Sequence, residues 1–183
     1  MRSGEAEPTK GETNLKKWTV LVIALLLSAA LCSCAFAEES ATTHYDSTLA
    51  FMKQMDTEGI MYTVLGMTED GYDQVRVNYS GENTELISIN CFFTPDNVTG
   101  SLCVWNVITY DPAQLGDVMA VCNEFNDGYK YVRYSCDTTD NSVTAQLDTV
   151  FLPENAGPVC TTLVSLMVAS VDEAYTRFAP LAK

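Results

Sequence analysis

Three segments in which apolar and polar residues alternate constrain the fold of this sequence more than any other feature. They are QVRVNYS at 74–80, LISINCFFT at 86–94 and SLCVWNVIT at 101–109, with apolar or aromatic residues at most odd-numbered positions. Because successive side chains of a strand point to opposite faces of a sheet, each segment predicts a strand with one buried face. Turn-forming residues separate the segments, so we expect neighbouring antiparallel strands that bury their odd-numbered side chains.

The second and third segments predict a hairpin centred on Asn97. In that register Cys91 lies opposite Cys103 and Ile89 lies opposite Trp105, which places all four side chains on the buried face. Facing cysteines on neighbouring strands predict a Cys91–Cys103 disulfide if the protein is in an oxidising compartment. The alternative is that both cysteines are small buried hydrophobic residues.

Helical periodicity appears in three further segments, and two more short strands follow the second of them. We predict helices at 43–58, 111–128 and 158–178, a first strand at 60–67, and a last hairpin from 129–136 and 143–151 with a loop at 138–141. Asp111-Pro112 is a typical helix start, and Gly59 and Gly128 are typical helix ends. The predicted order is α-β-β-β-β-α-β-β-α, an α+β fold with one antiparallel sheet.

This order resembles the YbjN family over roughly residues 43–180. The most similar part is the central helix running into CNEFNDGYKYVRYSCDTTDNSVTAQLDTVF, with Asn123 and Asn126 near the helix end, and the closing helix VSLMVASVDEAY also fits. The resemblance implies a fold similar to that of type III secretion chaperones, which are often homodimers that bind polypeptides. YbjN proteins are described as regulators without an agreed activity, so the resemblance implies no catalytic residue.

The N-terminus predicts export, unlike the mostly cytoplasmic proteins that this chain resembles. Residues 18–37 carry no charge, follow Lys16-Lys17 and end in Ala-Phe-Ala, which is the layout of a signal peptide cleaved after Ala37. An uncleaved membrane anchor and a lipoprotein modified at Cys34 are the alternatives. All three readings separate a leader at 1–37 from a single domain at 38–183, and only residues 18–37 would contact a membrane.

The charge of the chain limits its partners. There are 24 acidic residues against 10 basic ones, a formal net charge of −14. Such a surface repels phosphate backbones, so nucleic acid is excluded as a partner and basic partners are favoured.

The sequence contains no recognisable catalytic or cofactor set. Its one histidine, His44, is expected to be exposed near the start of the first helix, which leaves no partner for a serine or cysteine nucleophile. The carboxylates lie mainly in turns, where they favour turn formation, and DTTDNS lacks the glycine and glutamate of a calcium loop. We therefore predict no catalytic residue, no metal and no cofactor.

Cysteines and tyrosines are the remaining candidates. Five cysteines follow residue 37 without a C-x-x-C motif, and Cys122 with Cys136 is a second, weaker disulfide candidate. Tyr129 and Tyr131 are expected to face outward and to form a contact surface, whereas Tyr134 is expected to be in the core. The combined prediction is an exported non-catalytic domain that binds a protein or peptide, chaperone-like or regulatory. The alternative is binding of a small or cell-envelope ligand between sheet and helices.

Overall fold

The computed structural model describes residues 43–128 and 130–183, and residues 43–183 form one compact unit. The predicted leader and Tyr129 lie outside the described residues. Nine elements follow the predicted order, so the α+β prediction is confirmed. They are α1 (Asp46–Glu58), β1 (Tyr62–Met67), β2 (Asp73–Tyr79), β3 (Ile87–Phe93), β4 (Thr99–Val104), α2 (Leu115–Gly128), β5 (Arg133–Asp137), β6 (Ser142–Val150) and α3 (Ala156–Phe178).

The six strands form one antiparallel sheet in the order β1-β2-β3-β4-β6-β5. Most odd-numbered side chains of β2 and β3 are buried together with the apolar sides of α1, α2 and α3 in a single core. The helices therefore cover one face of the sheet. No helix among the described residues is long and apolar enough to cross a membrane.

Side chains from the sheet cap the N-terminus of α1. The Tyr45 N–H donates to Asp73 Oδ2 at 3.2 Å and the Ser47 N–H donates to Asn97 Oδ1 at 3.1 Å, which satisfies two of the free donors at the helix start. The helix ends as expected at Gly59, whose φ of 69° is in the left-handed region.

One expectation about this helix was wrong. His44 is not exposed, because its Nδ1 lies 2.9 Å from the buried carboxylate of Asp73 and the contact shields the ring. Leu49 is on the solvent side, while Phe51 and Met55 are fully buried. The buried side of α1 therefore includes Ser47 and Thr48 and not Leu49.

The central helix begins where the sequence predicts. Asp111 accepts a hydrogen bond from the Ala113 N–H at 2.9 Å, and a 3₁₀ turn at Pro112–Gln114 leads into α2. On α2, Val118 and Cys122 are buried, whereas Met119 is exposed.

Asn126 joins the end of α2 to β5. Its Nδ2 donates to the Tyr134 carbonyl at 2.9 Å, and its Oδ1 accepts from the Tyr134 N–H at 2.7 Å. The side-chain amide thus pairs with the outer edge of β5 as a neighbouring strand would. β5 begins at Arg133, which is later than the start predicted at residue 129.

The last helix matches its prediction closely. The buried face includes Cys160, Val164, Met167 and Phe178. At the start of the helix, an added Cβ on Gly157 would lie 2.7 Å from the carbonyl oxygen of Ala50 in α1, so α1 and α3 approach each other where there is no side chain.

Asp172 on α3 anchors the loop between β2 and β3. Its carboxylate accepts hydrogen bonds from the N–H groups of Glu82, Asn83 and Thr84 at 2.9 to 3.0 Å. Desolvation alone would raise the pKa of Asp172, but these backbone donors lower it below its usual value.

The last hairpin has the predicted register, with Tyr134 opposite Ala145 and Cys136 opposite Val143. Its loop closes through Asn141, whose φ is 57°. Tyr134 is buried, as expected.

The β3–β4 hairpin differs from its prediction by one residue. Cys91 pairs with Leu102 and Asn90 pairs with Cys103, so Cys91 and Cys103 face opposite sides of the sheet. A one-residue shift moves every side chain of a strand to the other face. The Cys91–Cys103 disulfide is therefore not formed, both cysteines are free, and Trp105 is exposed rather than in the core.

Turn chemistry explains the difference. Asn97 has a φ of 60°, and Asp96 accepts hydrogen bonds from the Thr94 hydroxyl, the Val98 N–H and the Thr99 N–H. These bonds close a turn that pairs Thr94 with Thr99, one residue short of the predicted register. The same hydrogen bonds, first from the Thr94 hydroxyl and then from the Val98 N–H, lower the pKa of Asp96 to about 2.

Candidate functional site

The candidate site is on the face of the sheet that the described helices leave open. The strand registers place Arg76, Asn90, Cys103, Gln146 and Arg133 in one row across this face. Gln146 and Arg133 are exposed, and so are other even-numbered side chains of β6. The open face therefore offers a broad polar surface in an otherwise two-layered protein.

Three aromatic side chains form a row on this open face. The rings of Tyr72 and Phe92 are edge to face with centroids 6.4 Å apart, and those of Phe92 and Trp105 are tilted with centroids 5.8 Å apart. Tyr72 follows the β1–β2 turn, Phe92 lies on β3, and Trp105 follows β4. We call these three residues the aromatic row. Tyr72 is 39% exposed and Trp105 is 48% exposed.

The aromatic row lines a cavity of about 750 Å³. Its walls come from the β1–β2 turn, the β3–β4 turn and the end of β6, which include Asp70, Thr99 and Val150. Val150 is mostly exposed, so the cavity has apolar surface on two sides. Most of the other side chains that line the cavity are polar, so it combines an aromatic side with a largely polar lining. Concave surfaces of this kind are where proteins usually bind ligands.

The charge of this cavity is negative. Among the described residues that line it, Asp70 and Asp148 are the two charged ones, and the Gln146 amide donates to Asp148 Oδ1 at 2.9 Å, which fixes the orientation of that carboxylate. Carboxylates beside exposed aromatic faces favour a cationic group, because the cation is attracted by both. The site therefore suits Lys or Arg side chains.

A network of hydrogen-bonded side chains lies beside the aromatic row. Asn90 is only 2% exposed, and its Oδ1 accepts from Gln74 Nε2 at 3.1 Å and from Arg76 Nε at 2.9 Å. These bonds hold side chains of β2 and β3 in fixed positions, so this part of the open face is preorganised.

Cys103, the one cysteine among the described residues that line the cavity, is a poor nucleophile. Desolvation, followed by the charge of Asp148, raises its pKa to about 11. The thiolate is the reactive form, so Cys103 is a neutral thiol near neutral pH.

The other residues singled out in the sequence do not belong to this cavity. Tyr131 is 62% exposed but does not line it, and His44 is held at the start of α1. Among residues 43–128 and 130–183, no three His, Cys, Asp or Glu side chains are close enough to hold a metal ion.

Sequence reasoning missed the aromatic row as a site. One signal was present, because Phe92 occupies an even-numbered position of a strand whose odd-numbered residues are all apolar. A large aromatic residue on the face predicted to be polar indicates a contact surface. Trp105 could not be found in this way, because the wrong register placed it in the core.

Comparison with known proteins found a similar solved structure. No family model matches the chain, and no curated protein matches it. The crystal structure of YbjN from E. coli is similar, with a TM-score of 0.49 and 9% sequence identity over 75% of this chain and 92% of that chain. YbjN represents the family that the element order resembles.

Proposed function

We propose that this protein is an exported, non-catalytic domain that binds a protein or peptide partner on the open face of its sheet. The aromatic row carries the proposal, because it exposes a contiguous apolar surface beside a cavity in an acidic protein. Buried aromatic anchors supply much of the binding energy in protein interfaces. A chaperone-like or regulatory role is consistent with such binding.

The partner segment is expected to be extended and basic. A Lys or Arg side chain placed on Trp105 or Tyr72 would be within reach of the acidic cavity wall that Asp70 and Asp148 form. A cation–π contact contributes about 0.5–1 kcal/mol at an exposed site and more when the partner removes water. The net charge of −14 would also attract a basic segment from a distance.

Two observations support a non-catalytic role. The Cys103 thiol is neutral at physiological pH, and His44 is hydrogen-bonded to Asp73 at the start of α1 instead of lying beside a nucleophile in the cavity.

Trp105 provides the direct test, since it is the one tryptophan in residues 38–183. We would titrate that domain with extended peptides rich in Lys and Arg and record the Trp105 emission. Matched peptides with Glu in place of Lys serve as the control. A saturable change with the basic peptides alone is expected, and its absence at millimolar peptide would refute the proposal.

Variants then locate the site. Tyr72→Ala and Asp148→Asn should each weaken binding about 5- to 30-fold, as expected for the loss of about 1–2 kcal/mol. Tyr131→Ala is the matched control, because Tyr131 is exposed outside the cavity. Equal losses in all three variants would indicate that the peptide binds elsewhere or without specificity.

A second candidate function is binding of a small or cell-envelope ligand. The cavity volume of about 750 Å³ favours it, since this lies within the range of small-molecule sites. Here the ligand would lie on the open face, and not between sheet and helices as the sequence suggested. Neutral oligosaccharides in the same Trp105 titration test this alternative, and saturation by them without a response to basic peptides would favour it.

Export and dimer formation are the remaining parts of the proposal. Sequencing the N-terminus of protein produced in its own cells would give Glu38 if the leader is cleaved after Ala37. A lipid-modified Cys34 or an intact leader would indicate the alternatives. Light scattering of residues 38–183 over a concentration series tests the homodimer, and a constant monomer mass would refute it.

A further inference from the structure

Two thiols approach each other at a junction of helix and sheet, away from the aromatic row. Cys122 lies on α2 and Cys136 on β5, and their Sγ atoms are 3.7 Å apart. A disulfide has an S–S distance of about 2.05 Å, so the two sulfurs need to approach by only about 1.6 Å. A rotation of the two side chains supplies movements of this size.

The backbones that carry these thiols are already held together. Asn126, one helical turn after Cys122, makes two hydrogen bonds to the backbone of Tyr134, which is two residues before Cys136. Arg133 Nη1 also donates to the Asn126 carbonyl at 3.2 Å. The relative position of the two cysteines is therefore fixed by bonds that do not involve sulfur.

The two thiols are reachable from solvent through a surface recess. A cavity of about 230 Å³ is lined by both sulfur-bearing residues together with Leu115, Met119 and Thr138. Cys136 is partly exposed, whereas Cys122 is 4% exposed. A small disulfide can therefore reach Cys136 first.

We propose that Cys122 and Cys136 form a reversible disulfide through exchange with a small-molecule disulfide such as oxidised glutathione. The Cys136 thiolate attacks one sulfur of oxidised glutathione, which breaks that S–S bond and releases one glutathione thiolate. The Cys122 thiolate then attacks Cys136 Sγ and releases the second. The two protein thiols together lose two electrons and two protons. One glutathione disulfide takes them up and becomes two glutathione thiols.

The order of the two steps follows from the surroundings of Cys122. Burial, and then the neighbouring Cys136, raises the pKa of Cys122 to about 12, so Cys122 is a weak first nucleophile. Cys91 and Cys160 are buried in the core beyond the reach of such a reagent, and Cys103 lies on the opposite face of the sheet. The reaction is independent of what binds the open face.

The test counts thiols in the full-length chain with Cys32→Ser and Cys34→Ser, which leaves five cysteines. After long incubation with oxidised glutathione and removal of the excess, the protein is denatured, alkylated and weighed by mass spectrometry. We expect two fewer alkylated thiols, no bound glutathione, and a mapped Cys122–Cys136 bridge that reductant removes.

Single variants separate the two steps. Cys122→Ser should retain one glutathione on Cys136, because the second thiol is missing, and Cys136→Ser should retain none. Cys103→Ser is the matched control and should still lose two thiols. Five free thiols, a stable glutathione adduct on the parent chain, or a bridge between another pair would each overturn the proposal.

Discussion

Replacing Asn126 with alanine tests whether α2 supports the outer edge of β5. The substitution removes both hydrogen bonds to Tyr134 and leaves its N–H and C=O without that partner. Each lost bond costs about 0.5–1.5 kcal/mol, and more if the freed group stays away from water. Alanine recovers about 0.6 kcal/mol through its higher helix propensity. Two bonds in the upper part of that range, less the gain in helix propensity, give a net loss in the free energy of unfolding of about 2 kcal/mol.

Thermal and urea unfolding followed by circular dichroism would measure this loss, which corresponds to a fall in melting temperature of about 5–8 °C. Asn126→Asp keeps the acceptor for the Tyr134 N–H but places a carboxylate oxygen against the Tyr134 carbonyl, so it should be at least as unstable. Asn123→Ala is the control, because Asn123 is exposed on the same helix. If Asn126→Ala were as stable as Asn123→Ala, the proposed support of β5 by Asn126 would be refuted.

Three further predictions follow from single contacts. Gly157→Ala should lower the free energy of unfolding by about 1–2 kcal/mol because its Cβ meets α1, whereas Gly116→Ala, with open space around it, should be neutral or stabilising in the same melts. The hydrogen bonds to Asp96, first that from Thr94, lower its pKa, so the ionised carboxylate stabilises the folded state. This stabilisation is complete above pH 4 and is lost as the pH falls towards 2. The urea midpoints of wild type and Asp96→Asn should therefore differ at pH 6 and converge near pH 2. Asp172→Ala should speed hydrogen exchange of the β2–β3 loop amides about tenfold or more, with the core amides unchanged.

Local patterns were sufficient for the element order and for one of the two hairpin registers. The Asp111-Pro112 start and the Gly59 end are determined by residues that are adjacent in sequence, and both are observed. The last hairpin was correct because its four-residue loop and its alternating strands require the same pairing. A hairpin register can be predicted from sequence when the loop length and the alternation of apolar residues require the same strand pairing.

The β3–β4 register was wrong because the pattern of β4 is ambiguous. In SLCVW both the odd-numbered and the even-numbered positions carry apolar residues, so either Cys103 with Trp105 or Leu102 with Val104 could face the core. The side-chain hydrogen bonds of Asp96 and the left-handed Asn97 decide between them. His44 was misjudged for a related reason, since its partner Asp73 is distant in sequence.

The same register links the fold to the proposed function. It buries Leu102 and Val104 and leaves Trp105 48% exposed on the open face. With about 250 Å² of surface on a tryptophan, close to 120 Å² stays in contact with water, and burying that area would contribute about 3 kcal/mol at 25 cal/mol per Å². This area stays exposed in the folded protein, so the free energy of burying it becomes available to a partner that covers Trp105. The gain is the size of a binding hot spot, so we expect Trp105 to be the residue on which affinity depends most.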